Sequence, residues 1–191
     1  MRKYLVVSYH TDFKPYNDCS DKLERSLNVF GIPYEINVLP SEGDWFQNCC
    51  QKSTYVREMM DKHPNKDIVW FDADMEVVQY PVLLDTIHGD VACPLWEEKF
   101  IMSCLVYFKN TPRIRRFVDC WVEKSYDQAY HFVADQYGLS RALRCNRDVK
   151  FEALPEWYSY VYATERSREI SEPPVIISEC ISRKISRTIP E

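Results

Sequence analysis

The stretch Ile68-Val69-Trp70-Phe71-Asp72-Ala73-Asp74 decides how the rest of the chain is read. A run of apolar residues that ends at once in two carboxylates describes a buried strand that stops where the acids begin. Strands of that kind belong to open α/β sheets, which bind ligands beyond the carboxyl ends of their strands. Side chains of an extended segment repeat every second residue, so Asp72 and Asp74 are expected to point the same way. Two convergent carboxylates repel each other unless a cation lies near. Their oxygens suit a hard divalent ion, Mg2+ or Mn2+, held together with substrate phosphates. The plain alternative is an acidic turn at a strand end, since a D-x-D is a short motif.

Outward from this strand, strand and helix signals alternate. Lys3 to Ser8 reads as a buried first strand. Leu23, Leu27 and Phe30 then mark a helix stopped by Gly31. Tyr34 to Leu39 is a second strand, closed by Pro40. Trp45 to Lys62 is a helix with Tyr55, Met59 and Met60 on one side, ended by Pro64. Beyond the acidic pair, Pro81 opens a short helix ending near Gly89, Asp90 to Leu95 is a strand, and Phe100 to Phe108 is the longest strand candidate. Thr111-Pro112 supplies an N-cap and a first-turn proline for a helix carrying Ile114, Phe117, Val118 and Trp121. A further helix over 134–143 and late strands at Val149–Leu154 and Val175–Ile177 complete the pattern. The expectation is an α/β domain whose mixed, mostly parallel sheet is flanked by helices. With no repeat or linker, residues 1–191 read as a single domain, with 171–191 as a closing strand and basic tail.

Composition narrows the function. The 191 residues are 46% hydrophobic and 28% charged, which excludes a disordered or fibrous chain. Only 4 are glycine, and neither a G-x-G-x-x-G nor a G-x-x-x-x-G-K-[ST] occurs, so no common glycine-rich loop cradles a nucleotide. A net charge of −5 argues against binding a nucleic acid polymer. The apolar run from Tyr4 to Tyr9 is too short for a signal-peptide core or a membrane span, so a cytoplasmic protein is expected. Without a C-x2-C pair, the eight cysteines read as reduced thiols rather than zinc ligands.

Two chemistries use an acidic pair of this kind. A haloacid-dehalogenase-like phosphatase attacks with the first Asp and uses the second as acid/base, but it carries Thr or Val where this chain has Glu76. A glycosyltransferase of the GT-A type instead holds the metal that bridges the diphosphate of a nucleotide sugar. From Trp45 onward the chain resembles the second family, piece by piece and in order. Trp45, Asn48 and Lys52 resemble its W-x-x-N-x-x-x-K helix, ahead of Asp72-Ala73-Asp74. Gly89-Asp90-Val91-Ala92, with Pro94 and Trp96, resembles the following strand. Ser103 to Thr111 is similar to S-G-V-x-x-F-x-N-T, with Cys104 in place of Gly. Phe117 to Trp121, Asp135-Gln136 and Leu154-Pro155-Glu156-Trp157-Tyr158 resemble the next three segments. Pro174-Val175-Ile176-Ile177 with Ser182-Arg183 resembles P-V-I-x-H…S-R, with Ser178 in place of a His that is often a third metal ligand.

The resemblance implies a GT-A (Rossmann-like) fold and transfer of a sugar from a nucleoside diphosphate donor, UDP favoured and GDP possible, to a carbohydrate or other hydroxyl acceptor. Mn2+ or Mg2+ would sit at Asp72 and Asp74. Because Ser178 is a poor ligand, a non-catalytic sugar-nucleotide binder of the same fold stays open. Donor contacts are implied for Ser8, Tyr9, His10, Thr11, Lys52, Asp72 and Ala73, and for Arg183 and Lys184 of the tail folded over the diphosphate. Tyr9 or His10 would lie near the base, though His10 also reads as a strand-end histidine bonded to the backbone. Lys52 reads equally as a solvated helix lysine. Asp135 is implied as the base or positioning carboxylate, or else is a helix cap. Trp96, Ser103, Asp135, Gln136 and Trp157 are implied for the acceptor and sugar side, against core packing for the aromatics.

Overall fold

The buried apolar strand is β3 (Asp67–Phe71), and all five of its residues are buried. The structure, a computed structural model, describes residues 3–127, 134–161 and 170–181. The strands are β1 (Tyr4–Thr11), β2 (Tyr34–Leu39), β3, β4 (Met75–Val77), β5 (Val91–Trp96), β6 (Phe100–Ile101), β7 (Leu105–Phe108), β8 (Phe151–Leu154), β9 (Tyr160–Val161) and β10 (Ile176–Ser178). Four α-helices join them: α1 (Lys14–Val29), α2 (Trp45–Lys62), α3 (Pro112–Ser125) and α4 (Ala134–Cys145).

Seven strands form the main sheet, in the order β2-β1-β3-β7-β5-β6 with β8 also on β5. β1 runs parallel to β2 and to β3, and β5 runs parallel to β8, whereas β7 is antiparallel to both β3 and β5. β6 is antiparallel to β5. Thus β2, β1, β3, β5 and β8 point one way and only β7 and β6 the other, the mixed, mostly parallel sheet expected. A smaller sheet, β4-β10-β9, was not anticipated from its two- and three-residue strands.

Alternation along the strands divides the core in two. Leu5, Val7, Ile68 and Trp70 face one side, where they meet Met59 and Met60 of α2, Phe117 and Trp121 of α3 and Leu139 of α4. Tyr4, Val6, Val69 and Phe71 face the other, against Leu23 and Leu27 of α1 and Met75, Val77 and Ile176 of the small sheet. The result is a layered α/β domain with the main sheet in the middle.

Local chemistry starts the helices where the sequence placed them. Asp44 and Gln47 form a reciprocal capping box on α2, with Gln47 N–H donating to Asp44 Oδ1 at 2.8 Å. Thr111 Oγ1 accepts from Ile114 N–H, and Pro112 opens α3. Gly31 ends the first helix with φ +56°, a value that favours glycine. Two expectations are corrected. The helix after Pro81 is a 3-10 turn at Val82–Asp85. The long strand at Phe100–Phe108 is cut into β6 and β7, because Met102-Ser103-Cys104 bulges out, with Met102 N–H reaching back to Pro94 O at 2.9 Å. That interruption turns the Ser103 carbonyl toward the site.

Candidate functional site

The parallel strands end together at one edge of the main sheet. β3 delivers Asp72 there, β1 delivers His10 and Thr11, and β5 delivers Trp96. β7 is antiparallel, so its first residues lie at the same edge, and Asp72 N–H donates to Cys104 O at 2.8 Å. No glycine is needed at position 104: Cys104 is not among the residues with positive φ.

At the centre of the site lies Lys52, only 6% exposed. It projects from α2, whose Asn48 pins the preceding loop by accepting the Glu42 N–H at 2.8 Å. Lys52 Nζ stands 2.8 Å from Asp72 Oδ1 and 2.5 Å from Asp135 Oδ2, and donates to the Ser103 carbonyl at 3.3 Å. It also lies 5.3 Å above the Trp70 ring, whose indole N–H donates to Asp72 Oδ1 at 2.7 Å. Ser103 Oγ donates to Asp135 Oδ2 at 2.8 Å. α4 is held in register by Trp121, which donates to the Asp135 carbonyl at 2.8 Å, and by Gly138, where an added Cβ would meet Ser125 Oγ at 2.6 Å. Burial opposes charge on both Lys52 and Asp135, but each offsets it for the other. Lys52 is held well above the usual lysine range by Asp135 and Asp72, and Asp135 below the usual carboxylate range by Lys52 and Ser103.

The acidic pair departs from the extended geometry expected of it. Asp72-Ala73-Asp74-Met75 is a turn, closed by Met75 N–H on Asp72 O at 3.1 Å, so the two carboxylates meet different partners. Asp72 turns to Lys52 and Trp70. Asp74 turns to the end of β10, accepting from Ile181 N–H at 2.9 Å and from Ser178 Oγ at 3.5 Å. They still sense each other: burial first, then the charge of Asp72, pushes Asp74 up to about 6. The same field and burial raise the Tyr16 hydroxyl of α1 to about 12 and hold the Cys104 thiol protonated.

This donor set fits a hard divalent ion in part. Asp72 and Asp74 offer oxygen only, and the described contacts of Asp72 all fall on Oδ1. Among the described residues no cluster of three or more His, Cys, Asp or Glu forms, so the remaining positions would have to come from a diphosphate and water. Ser178, at the place expected for His, lends its hydroxyl to Asp74 instead.

Several expected site residues are used structurally. Ser8, Tyr9 and Ala73 are buried. Tyr9 donates from its hydroxyl to Asn48 O and packs on Tyr55 and Trp70. His10 Nδ1 lies 3.2 Å from the Thr11 carbonyl, so the backbone reading holds, and His10 and Thr11 remain partly exposed at the edge. Lys52 is not solvated but buried and paired with Asp72 and Asp135. Ser103 and Asp135 are 6% and 7% exposed, and both contact Lys52. Gln136 is half-buried behind them. Trp157 packs on the core with Tyr158, Leu154 and Ile176, whereas Trp96 pairs with Phe100. Arg183, Lys184 and Ser182 lie outside the described residues. All eight cysteines are free, as expected. Trp70, whose indole N–H bonds Asp72, was missed as a site residue, because a buried strand aromatic gives no sign in the sequence of what its ring N–H will meet.

No protein-family model matches the chain, and no curated protein matches it. Solved structures do. A glycosyltransferase involved in glycosylating the major capsid of PBCV-1 superposes with a TM-score of 0.70 over 96% of both chains, at 10% identity. Mouse xyloside xylosyltransferase 1 superposes with a TM-score of 0.61 over 98% of this chain and 99% of that one, at 10% identity. The glycosyltransferase GlyE of Streptococcus pneumoniae gives 0.60 at 13% identity, over 92% of this chain and 55% of that one. Identities this low speak for architecture, and the architecture is the GT-A-type glycosyltransferase fold.

Proposed function

We propose that the chain is a glycosyltransferase that moves a sugar from a nucleoside diphosphate donor to an acceptor hydroxyl. The observation that carries this reading is the linkage of Asp72, at the carboxyl edge of β3, through buried Lys52 to Asp135 at the start of α4. Transfer breaks the bond between the anomeric carbon and the diphosphate oxygen and forms one to the acceptor oxygen, whose proton is released. Asp72 and Asp74 would hold Mg2+ or Mn2+, which neutralises charge growing on the leaving diphosphate when bound.

The protein's own residues do the positioning. Trp70 and Lys52 fix Asp72 Oδ1 from two directions, so the carboxylate is oriented before a donor arrives. Asp135 and Ser103 hold Lys52 in turn, which keeps its ammonium charged and its reach fixed. Asp135, buried and bonded to both Lys52 and Ser103, would act as the positioning carboxylate through Lys52.

A hydrolysis screen over UDP- and GDP-sugars with Mn2+ tests the reading. Release of free sugar from at least one donor, lost in Asp72→Ala, is expected. Sugar-nucleotide binding with neither hydrolysis nor transfer would favour the non-catalytic binder, for which Ser178 is the specific observation. Hydrolysis of an aryl phosphate that Asp72→Asn abolishes would overturn both.

A further inference from the structure

The main sheet ends on one side at β2, which is hydrogen-bonded to β1 and to no other described strand. The register fixes which of its backbone groups stay unpaired. Val6 N–H donates to Pro33 O at 3.0 Å, and Val6 stands beside Tyr34. Along a parallel ladder, successive residues alternate between bonding the neighbouring strand and facing away from it. Pro33, Glu35, Asn37 and Leu39 therefore bond to β1, while Tyr34, Ile36 and Val38 turn both N–H and C=O outward. Among the described residues nothing meets these outward groups. Proteins commonly guard such an edge with a bulge, a Lys or a Pro, or keep it very short. The six residues of β2 contain no Lys and no Pro, and their pairing with β1 is unbroken from Tyr34 to Leu39.

The side chains make this edge complementary to itself. Tyr34 and Ile36 pack on the α1 side of the sheet, and Val38 shares their face but is 59% exposed. On the α2 side, Lys62 and His63 hold Glu35 at 2.6 and 2.8 Å, and Asn37 donates to Tyr55 Oη at 2.8 Å. A two-fold axis through Ile36, perpendicular to the sheet, sets a second β2 antiparallel to the first. Ile36 then faces the partner's Ile36, and Val38 faces the partner's Tyr34. Each of these pairs exchanges both N–H···O bonds, about six in all. Glu35 faces the partner's Asn37, which is neutral, so no like charges stand opposite each other. Moving the axis to Glu35 would oppose the two Glu35 carboxylates, and moving it to Asn37 would set Tyr34 against a proline, Pro40, that has no N–H to give. The Ile36 register alone pairs every outward group and covers Val38.

We infer that the outer edge of β2 is a homodimer interface: a second copy of this chain adds its own β2 antiparallel, centred on Ile36, and joins the two main sheets into one. The two-fold axis reverses strand direction, so the carboxyl edges of the two copies point in opposite directions. The inference does not depend on the chemistry at Asp72.

Sedimentation velocity of the full chain across micromolar concentrations, with amide hydrogen exchange read by NMR, tests it. The wild type is expected to sediment as a dimer at the higher concentrations. The Tyr34, Ile36 and Val38 amides gain protection as the dimer forms, whereas the Glu35 and Asn37 amides are protected in both states. Val38→Pro removes an outward N–H from each copy and leaves the β1 ladder its bonds, and Val38→Lys sets a charge against the partner's Tyr34. Each variant is expected to weaken dimerisation by about tenfold or more. Far-UV circular dichroism shows whether the variants keep their fold, and Val38→Lys carries the test if the proline variant does not. A wild type that stays monomeric, a dimer in which the Tyr34, Ile36 and Val38 amides exchange as fast as in the monomer, or a dimer indifferent to Val38→Lys would each overturn the inference.

Discussion

Replacing Lys52 by methionine removes the ammonium that stands between Asp72 and Asp135, and the structure sets the size of the effect. The chain of four methylenes is kept in volume, so packing on Trp70 changes little. What is lost is charge: contacts at 2.8 and 2.5 Å to two carboxylates and one at 3.3 Å to the Ser103 carbonyl. Asp135 is 7% exposed and is left buried without its partner, so the cost is that of breaking a buried pair, about 3–5 kcal/mol. Removing both charges, in Lys52→Met with Asp135→Asn, leaves no orphan and should recover most of that loss. Urea unfolding of the four proteins of this cycle reads the difference directly. The pH dependence has a definite sign. Asp135 is depressed in the fold, so its contribution is present above the unfolded carboxylate pKa of about 4 and fades as pH falls through its lower folded value. Lys52 is raised, so its contribution is full below about pH 10 and fades as pH rises through its folded value. The contribution of the pair in the wild type is therefore flat between these limits. A loss below about 1 kcal/mol, or a double variant no more stable than the single one, would refute the buried-pair account.

Other expectations follow from the same geometry. Asp74 has a folded pKa near 6, above its reference of 3.8, so its contribution to stability is full below about pH 4 and lost as pH rises through 6. Asp74→Asn should therefore match wild type at pH 4 and exceed it by about 1–2 kcal/mol at pH 7 in metal-free buffer, as read by thermal unfolding. Equal stability at both pH values would contradict the raised pKa. Trp70→Phe deletes the indole donor to Asp72 and should lower stability by about 1–3 kcal/mol, with weaker UDP binding in calorimetry. Gly138→Ala drives a methyl into Ser125 at 2.6 Å and should cost about 1–3 kcal/mol while lowering donor turnover, because α4 carries Asp135. A variant as stable and active as wild type would show that α3 and α4 can part there.

What the sequence made legible is what local chemistry controls. β2, α2 and β3 begin and end where apolar runs, the residues after Asp44 and the acidic stop place them. Asn110 and Thr111, taken as motif residues, do structural work: Asn110 donates to Met60 O and His63 O at the end of α2, and Thr111 caps α3. The site was legible as a place, the carboxyl edge with Asp72, Lys52 and Asp135, but not as an arrangement. Alternation holds in a strand, and the chain had already left β3 for a turn at Ala73, which sent Asp72 and Asp74 to different partners. Lys52, Ser103 and Asp135 come from three distant segments whose meeting depends on the bulge at 102–104, and no periodicity signals that bulge. Tyr9 is implied as a donor contact by the resemblance alone; that its ring is buried against Tyr55 and Trp70, with its hydroxyl on Asn48 O, is set by partners from distant segments.

The central claim, a diphosphate donor site at the carboxyl edge that needs both Asp72 and Asp74, is tested most directly by calorimetry. UDP and GDP are titrated into the wild type and into Asp72→Ala with Asp74→Ala, each with and without Mn2+. The account predicts that one nucleotide binds the wild type, more tightly with Mn2+, and that the double variant loses the metal-dependent part. Binding of neither nucleotide, or binding of equal strength in the double variant, would contradict it.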